Sequence, residues 1–202
     1  MPKIICIASQ KGGVGKSTLC LNLARMFKEN LKVGLLDLDL QSSSSDLLQG
    51  ENEIELISKT TSPGKLQSLP CDILFIDTPP YLSGRLIEIL SVADAVLIPT
   101  RAGVFDAMAL SETVRLVQQV QETNRHLNAA IVFTMVKTGS TIAEEIKPVL
   151  NTGNIKLLDV MISERISFAR SLLTGGVFTS SDYKAKMEVM ALADEVVALL
   201  GL

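Results

Sequence analysis

The sequence predicts an α/β fold, a doubly wound and mainly parallel sheet with helices on both faces. Three observations predict it. Short apolar runs recur at residues 4–8, 33–36, 73–76, 95–99 and 129–135, and each gives way to polar, glycine or proline residues, as in strands buried on both faces. Helix-forming stretches alternate with these runs. The first run passes into the first helix through a glycine-rich loop, which a parallel sheet places at its carboxyl edge.

That loop reads Gln10-Lys11-Gly12-Gly13-Val14-Gly15-Lys16-Ser17-Thr18. Glycines at 12, 13 and 15 let the backbone curl until several N–H groups face one anion. The positive end of the following helix, from residue 19 to 28, faces the same spot. In a strand–loop–helix setting this is a phosphate-binding loop, with residues 11–18 as the nucleotide contacts. Lys16 reaches the β- and γ-phosphates, and the Ser17 hydroxyl is a ligand for Mg²⁺. No NKxD motif that would specify guanine is present, so the expected nucleotide is ATP.

The second strand region, 32–41, begins apolar and ends Asp37-Leu38-Asp39-Leu40-Gln41. Residues two apart on a strand point the same way, so Asp37 and Asp39 face one site at its carboxyl end. Ser42 to Asp46 is a polar run that signals a helix start. Residues 50–68 hold Gly50, Pro63 and Gly64 without a clear period, and read as a short helix and a surface loop. The run 71–80 places four apolar residues before Asp77, then Thr78-Pro79-Pro80. A buried strand thereby delivers one carboxylate to a Mg²⁺ site, and the prolines end it. Then follow a helix at 82–92, a strand at 95–99 and a long helix at 106–127, where Asp106 is a good cap. A strand at 129–135, a helix at 141–150 and a strand at 156–160 come next. A helix at 165–173 ends at Gly175-Gly176, and the last helix runs from 182 to 200. No repeat or linker divides the chain, so one domain spans 1–202.

Composition excludes several classes. Of the 202 residues 47% are hydrophobic and 20% charged, an ordinary globular balance. No apolar run approaches the ~18 residues of a membrane span. Cys6, Cys20 and Cys71 are isolated in apolar segments and read as core residues of a reducing compartment. His126 is the only histidine, which excludes zinc sites needing two. Net charge is −3, but residues 137–186 hold 7 Lys/Arg against 5 Asp/Glu and form the one mildly basic region. Its Arg165, Arg170, Lys184 and Lys186 are candidate contacts for nonspecific DNA. Residues 188–202 have no Lys or Arg and carry Glu188, Asp194 and Glu195, which anionic lipid would repel, so no membrane partner is expected.

The loop departs from the common phosphate-binding pattern: Gln10 stands where glycine is usual, and a second lysine, Lys11, precedes the glycines. This resembles the deviant Walker A motif, KGGxGK[ST], of the ParA/MinD family of ATPases. The stretch 37–41 resembles that family's Walker A′ motif, DxDPQ, with Leu40 in place of proline, and 71–80 resembles its Walker B strand. The chain is most similar to small ParA-type partition ATPases. With the loop opening at residue 10, the expectation is a chain without the N-terminal DNA-binding extension of larger plasmid ParA proteins. The resemblance implies that Lys11 crosses a dimer interface to the partner's nucleotide. It implies that Asp37 stands beside the Mg²⁺ shell, that Asp39 orients the attacking water, and that Asp106 lies at the subunit interface. It also places the adenine base near Thr134 to Thr138, with Thr134 and Met135 as contacts. The implied function is slow ATP hydrolysis by an ATP-bound homodimer, driving DNA segregation with a ParB-like partner on the cytoplasmic nucleoid. Positioning of a protein cargo, or of a division or flagellar site, is the alternative. Reductases and metal insertases of the same fold usually add cysteine or metal motifs, which this sequence lacks.

Overall fold

The computed structural model describes residues 1–39, 53–81, 83–150 and 152–202. Among these residues the strands are β1 (Lys3–Ile7), β2 (Val33–Asp37), β3 (Ile54–Leu56), β4 (Ile73–Asp77), β5 (Ala95–Arg101), β6 (Asn128–Val136) and β7 (Lys156–Ser163). They form one sheet in the order β3-β2-β4-β1-β5-β6-β7, and every pairing is parallel. The helices are α1 (Lys16–Phe27), α2 (Pro63–Leu66), α3 (Gly84–Leu90), α4 (Val104–Gln121), α5 (Ile142–Ile146), α6 (Ile166–Ser171) and α7 (Tyr183–Leu199). The α/β fold expected from the alternation is the fold observed.

Alternation along β1 divides the core between the two faces. Ile5 and Ile7 pack with Leu19 and Leu23 of α1 and Val189 and Leu192 of α7. Ile4 and Cys6 pack with Ile89 and Leu90 of α3 and Val114 and Val117 of α4. All three cysteines are buried free thiols. Burial, with a smaller contribution from Asp77, pushes the Cys6 and Cys20 thiols well up and keeps them protonated.

Several boundaries differ from expectation. β3 falls inside the stretch expected to be helix and loop, paired to β2 with Val33 opposite Ile54. Only Ile54 of its three residues is buried, so the segment has no period to read. α2 follows with Pro63 at its first turn. α4 begins earlier than expected, with Gly103 as its N-cap, and Asp106 lies inside its first turn rather than at the cap. The helix stops at Gln121, and the Asn124 side chain donates to the carbonyls of Leu90 and Ala93, both at 2.9 Å. α5 gives way to a 3₁₀ turn, Lys147–Val149, with proline near its start. β7 runs to Ser163, carried through two irregularities in its pairing with β6. The helix start read at 42–46 lies outside the described residues.

Two sets of contacts fasten the carboxyl-terminal elements. On α7, Glu188 accepts from the Ser163 N–H (2.8 Å) and hydroxyl (2.7 Å), and Glu195 accepts from the Val160 N–H (2.9 Å). These carboxylates satisfy outward amides of the edge strand β7. On α1, buried Asn22 donates to Ser171 Oγ (2.9 Å) and accepts from the Val177 N–H (2.9 Å). Arg25 Nη1 donates to the Ser171 carbonyl at 2.9 Å.

Candidate nucleotide site

Parallel register brings the carboxyl ends of the central strands to one level, since Ile7 and Asp37 both stand opposite Asp77. The glycine loop leaves β1 there. Gly13 (φ 68) and Gly15 (φ 85) adopt left-handed conformations that a side chain would strain. Neighbouring strands pin the loop: Arg101 Nη2 donates to the Gly13 carbonyl (2.8 Å), and Thr134 Oγ1 donates to the Val14 carbonyl (2.9 Å). Lys16 is buried, and its ammonium donates to the Lys11 carbonyl at 3.1 Å. Burial pushes its pKa down, while Asp77 and Asp39 pull it back up.

Asp37 and Asp77 are buried at the ends of adjacent strands. Thr78 Oγ1 donates to the Ile7 carbonyl (2.8 Å) and holds the end of β4 against β1. Asp39 is half-buried, with its N–H donating to Asp37 Oδ1 at 2.9 Å. A cleft of about 590 Å³ takes in Gly12, Gly13, Lys16, Ser17, Asp39 and Pro80. A hydroxyl and two carboxylates are hard oxygen donors of the kind Mg²⁺ selects. No group of three or more His, Cys, Asp or Glu that could hold a metal occurs among the described residues. Ser17, Asp37 and Asp77 together make a donor set that fits an ion completing its shell with phosphate oxygens, as Mg²⁺ does in nucleotide sites.

Lys11 is half-buried at the mouth of the loop, and its ammonium meets Asp106 Oδ1 at 2.6 Å. A Cβ at Gly103 would stand 2.7 Å from Asp106 Oδ2, so glycine leaves this carboxylate its room.

An apolar pocket of about 300 Å³ lies against Gly15 and Thr18. Thr134 and Met135 line it, and Met135 holds a positive φ of 53, a strained conformation for a side-chain residue. Ile162, Glu164, Ile166 and Phe168 form the opposite wall. Sequence reasoning missed these four, because the wall exists only once β7 lies beside β6. An apolar pocket of this kind beside the glycine loop suits a nucleobase.

The four cations considered for DNA differ in setting. Arg165 pairs with Glu188 at 3.2 Å and Asp182 at 3.5 Å, so its charge is compensated within the chain. Arg170 and Lys184 are exposed, and Lys186 is half-buried.

A parallel sheet with a two-lysine glycine loop at its carboxyl edge and three aspartates beside it defines a class of nucleotide-binding domain. The chain belongs to the CobQ/CobB/MinD/ParA nucleotide binding domain family, whose model matches residues 5–177. It is an ATPase of the ParA/MinD type. Among similar proteins, the chromosome-partitioning ATPase Soj of Treponema pallidum is 27% identical, covering 100% of this chain and 99% of that one. The maintenance of carboxysome distribution protein A of Halothiobacillus neapolitanus is 24% identical, covering 85% and 84%. Among solved structures, a putative plasmid partition protein from Borrelia burgdorferi bound to AMPPNP shares the fold with a TM-score of 0.76 at 23% identity, each chain covered in full. Apo McdA of Cyanothece shares it with a TM-score of 0.82 at 18% identity, covering 97% of this chain and 100% of that one. No helix among the described residues is long and apolar enough to cross a membrane.

Proposed function

We propose that this chain is a nucleotide-gated partition ATPase that closes as an ATP-bound homodimer and hydrolyses ATP slowly to reopen. The observation that carries this reading is the division of labour between the two loop lysines. Lys16 is buried under its own loop, whereas Lys11 lies half-exposed at the loop's mouth, paired with the buried Asp106 of its own chain. In the dimer Lys11 leaves that carboxylate for the phosphates bound by the other subunit, adding positive charge where transition-state charge develops. Ser17, with Asp37 and Asp77, holds Mg²⁺, which supplies charge neutralisation between the phosphates when bound. Asp39 orients the attacking water. Loss of the γ-phosphate removes the contacts that hold the dimer closed.

The output we assign is DNA segregation on the cytoplasmic nucleoid with a ParB-like partner, supported by full-length similarity to a chromosome-partitioning ATPase. Positioning of a protein cargo is the second reading, favoured by the carboxysome-distribution relatives. Sedimentation of the parent and of Lys11→Ala with ATP or ADP tests the dimer. The parent is expected to dimerise with ATP only, and Lys11→Ala to remain monomeric; a Lys11→Ala dimer as tight as the parent's refutes the gate. A gel shift with random duplex then separates the two outputs, since ATP-independent binding or none favours the protein cargo.

A further inference from the structure

We propose that Lys59 is a positioning residue for hydrolysis, acting through the main chain of Asp39. The inference rests on the reading that Asp39 orients the attacking water. Both main-chain polar groups of Asp39 are held by side chains. Its N–H donates to Asp37 Oδ1 at 2.9 Å, and its carbonyl accepts from the Lys59 ammonium at 2.6 Å. The first tether comes from a buried strand end. The second comes from a segment twenty residues further along the chain.

That segment is itself anchored, and at two points. The Ile57 N–H donates to the Leu35 carbonyl at 2.8 Å, which prolongs the β2–β3 pairing by one residue. Arg85 of α3 donates to the Thr61 carbonyl. Between them the turn is closed locally, with the Ser58 and Thr60 hydroxyls 2.8 Å apart. Lys59 therefore extends from a fixed base to one peptide carbonyl of the site. It is half-buried and stands outside the apolar core clusters, so replacing its ammonium removes a clamp without opening a cavity.

The consequence is geometric. Without the Lys59 bond, the Asp39 main chain loses one of its restraints and its carboxylate is held less firmly in line. A reacting group displaced by about 1 Å can cost on the order of a hundredfold in rate. Nucleotide binding depends on the glycine loop and Lys16, which Arg101, Thr134 and the Lys11 carbonyl hold. The effect of losing Lys59 thus falls on turnover and leaves affinity alone.

The test measures single-turnover ATP hydrolysis with Mg²⁺, alongside titration with a fluorescent ATP analogue, for the parent, Asp39→Ala, Lys59→Met, Lys59→Gln and Lys59→Arg. Lys59→Met and Lys59→Gln are expected to bind the analogue like the parent and to hydrolyse about ten- to a hundredfold more slowly. Lys59→Arg, which restores a charged donor, is expected to recover most of the rate. Parent-like hydrolysis in either neutral variant overturns the proposal. So does an arginine variant as slow as the methionine one, or affinity lost in step with rate. If Asp39→Ala hydrolyses normally, the water-orienting reading falls and this proposal with it. If Asp39→Ala is inactive while Lys59→Met is normal, Lys59 alone is refuted.

Discussion

At the scale of single residues, the two loop lysines have opposite surroundings and should fail differently. Lys16 sits among buried groups with Asp77 and Asp39 near it, so its removal leaves the phosphates facing carboxylates. Lys16→Ala is expected to weaken ATP and ADP binding alike by at least about a hundredfold, a loss of roughly 2.7 kcal/mol or more. Under the proposed gate, in which Lys11 serves the other subunit, Lys11→Ala should leave ADP binding within about twofold of the parent. Equilibrium titration with both nucleotides reads both effects. The lysines and the strand-end aspartates were legible in the sequence because each lies in a contiguous motif whose spacing carries its geometry. Asp106 was legible only as an alternative between cap and interface. The Gly103 N-cap removes the capping role, and the 2.6 Å contact with Lys11 gives the carboxylate another one.

At the scale of elements, α7 is fixed by acids whose purpose the sequence did not disclose. Asp182 accepts from the Ala185 N–H at 3.1 Å as N-cap and from the Ser167 hydroxyl at 2.7 Å. The Ser167 bond, then the Ala185 bond, hold its carboxyl below the usual aspartate value of 3.8. The folded protein therefore releases this proton more readily than the unfolded chain. The stabilisation is fully present above pH 3.8 and is lost as pH falls through the lowered folded value. Asp182→Ala should cost about 1 kcal/mol at neutral pH and flatten the acid limb of stability, measured by urea melts across pH. Glu188 carries more, since Ser163 and Arg165 both depend on it. Glu188→Ala leaves Ser163 unmatched and Arg165 with Asp182 alone, and should cost about 1–3 kcal/mol in the same melts. The lipid-repulsion argument changes as well. Glu188 and Glu195 are turned onto β7, leaving Asp194 as the exposed acid of the three. β3 was illegible for a simpler reason, because three residues with one buried side chain give no alternation to detect.

At the scale of the whole molecule, the proposed DNA output requires an acidic chain to bind through a local patch and through number. Arg165 is committed to α7, so Arg170, Lys184 and Lys186 are the cations left for phosphate. Three contacts per subunit give weak binding, and a dimer doubles them on one body. Binding of random duplex is expected with ATP and not with ADP, and to fall steeply with salt. Paired Arg170→Glu and Lys184→Glu should abolish it while leaving ATP hydrolysis without DNA unchanged; salt-independent binding, or binding by the reversed variant, counts against the patch. The base-pocket wall belongs to this scale too. Its residues follow a strand laid beside β6 by a crossover, and no local pattern announces which strand that will be.

The clip between α1 and the carboxyl-terminal third has a consequence for the chain as it is made. The glycine-loop helix leaves the ribosome about 150 residues ahead of residues 171 and 177, against which it buries Asn22 and Arg25. Until those emerge, Asn22 has its Thr18 carbonyl acceptor but not Ser171 or Val177, and Arg25 is without the Ser171 carbonyl. At about 5–20 residues per second, that interval is roughly ten to thirty seconds. The nascent chain should therefore stay protease-sensitive and blind to ATP until residue 177 has emerged, then acquire both properties together. Stalled ribosome complexes of increasing length, probed by limited proteolysis with and without ATP, would show the change only in chains whose released portion extends past residue 177.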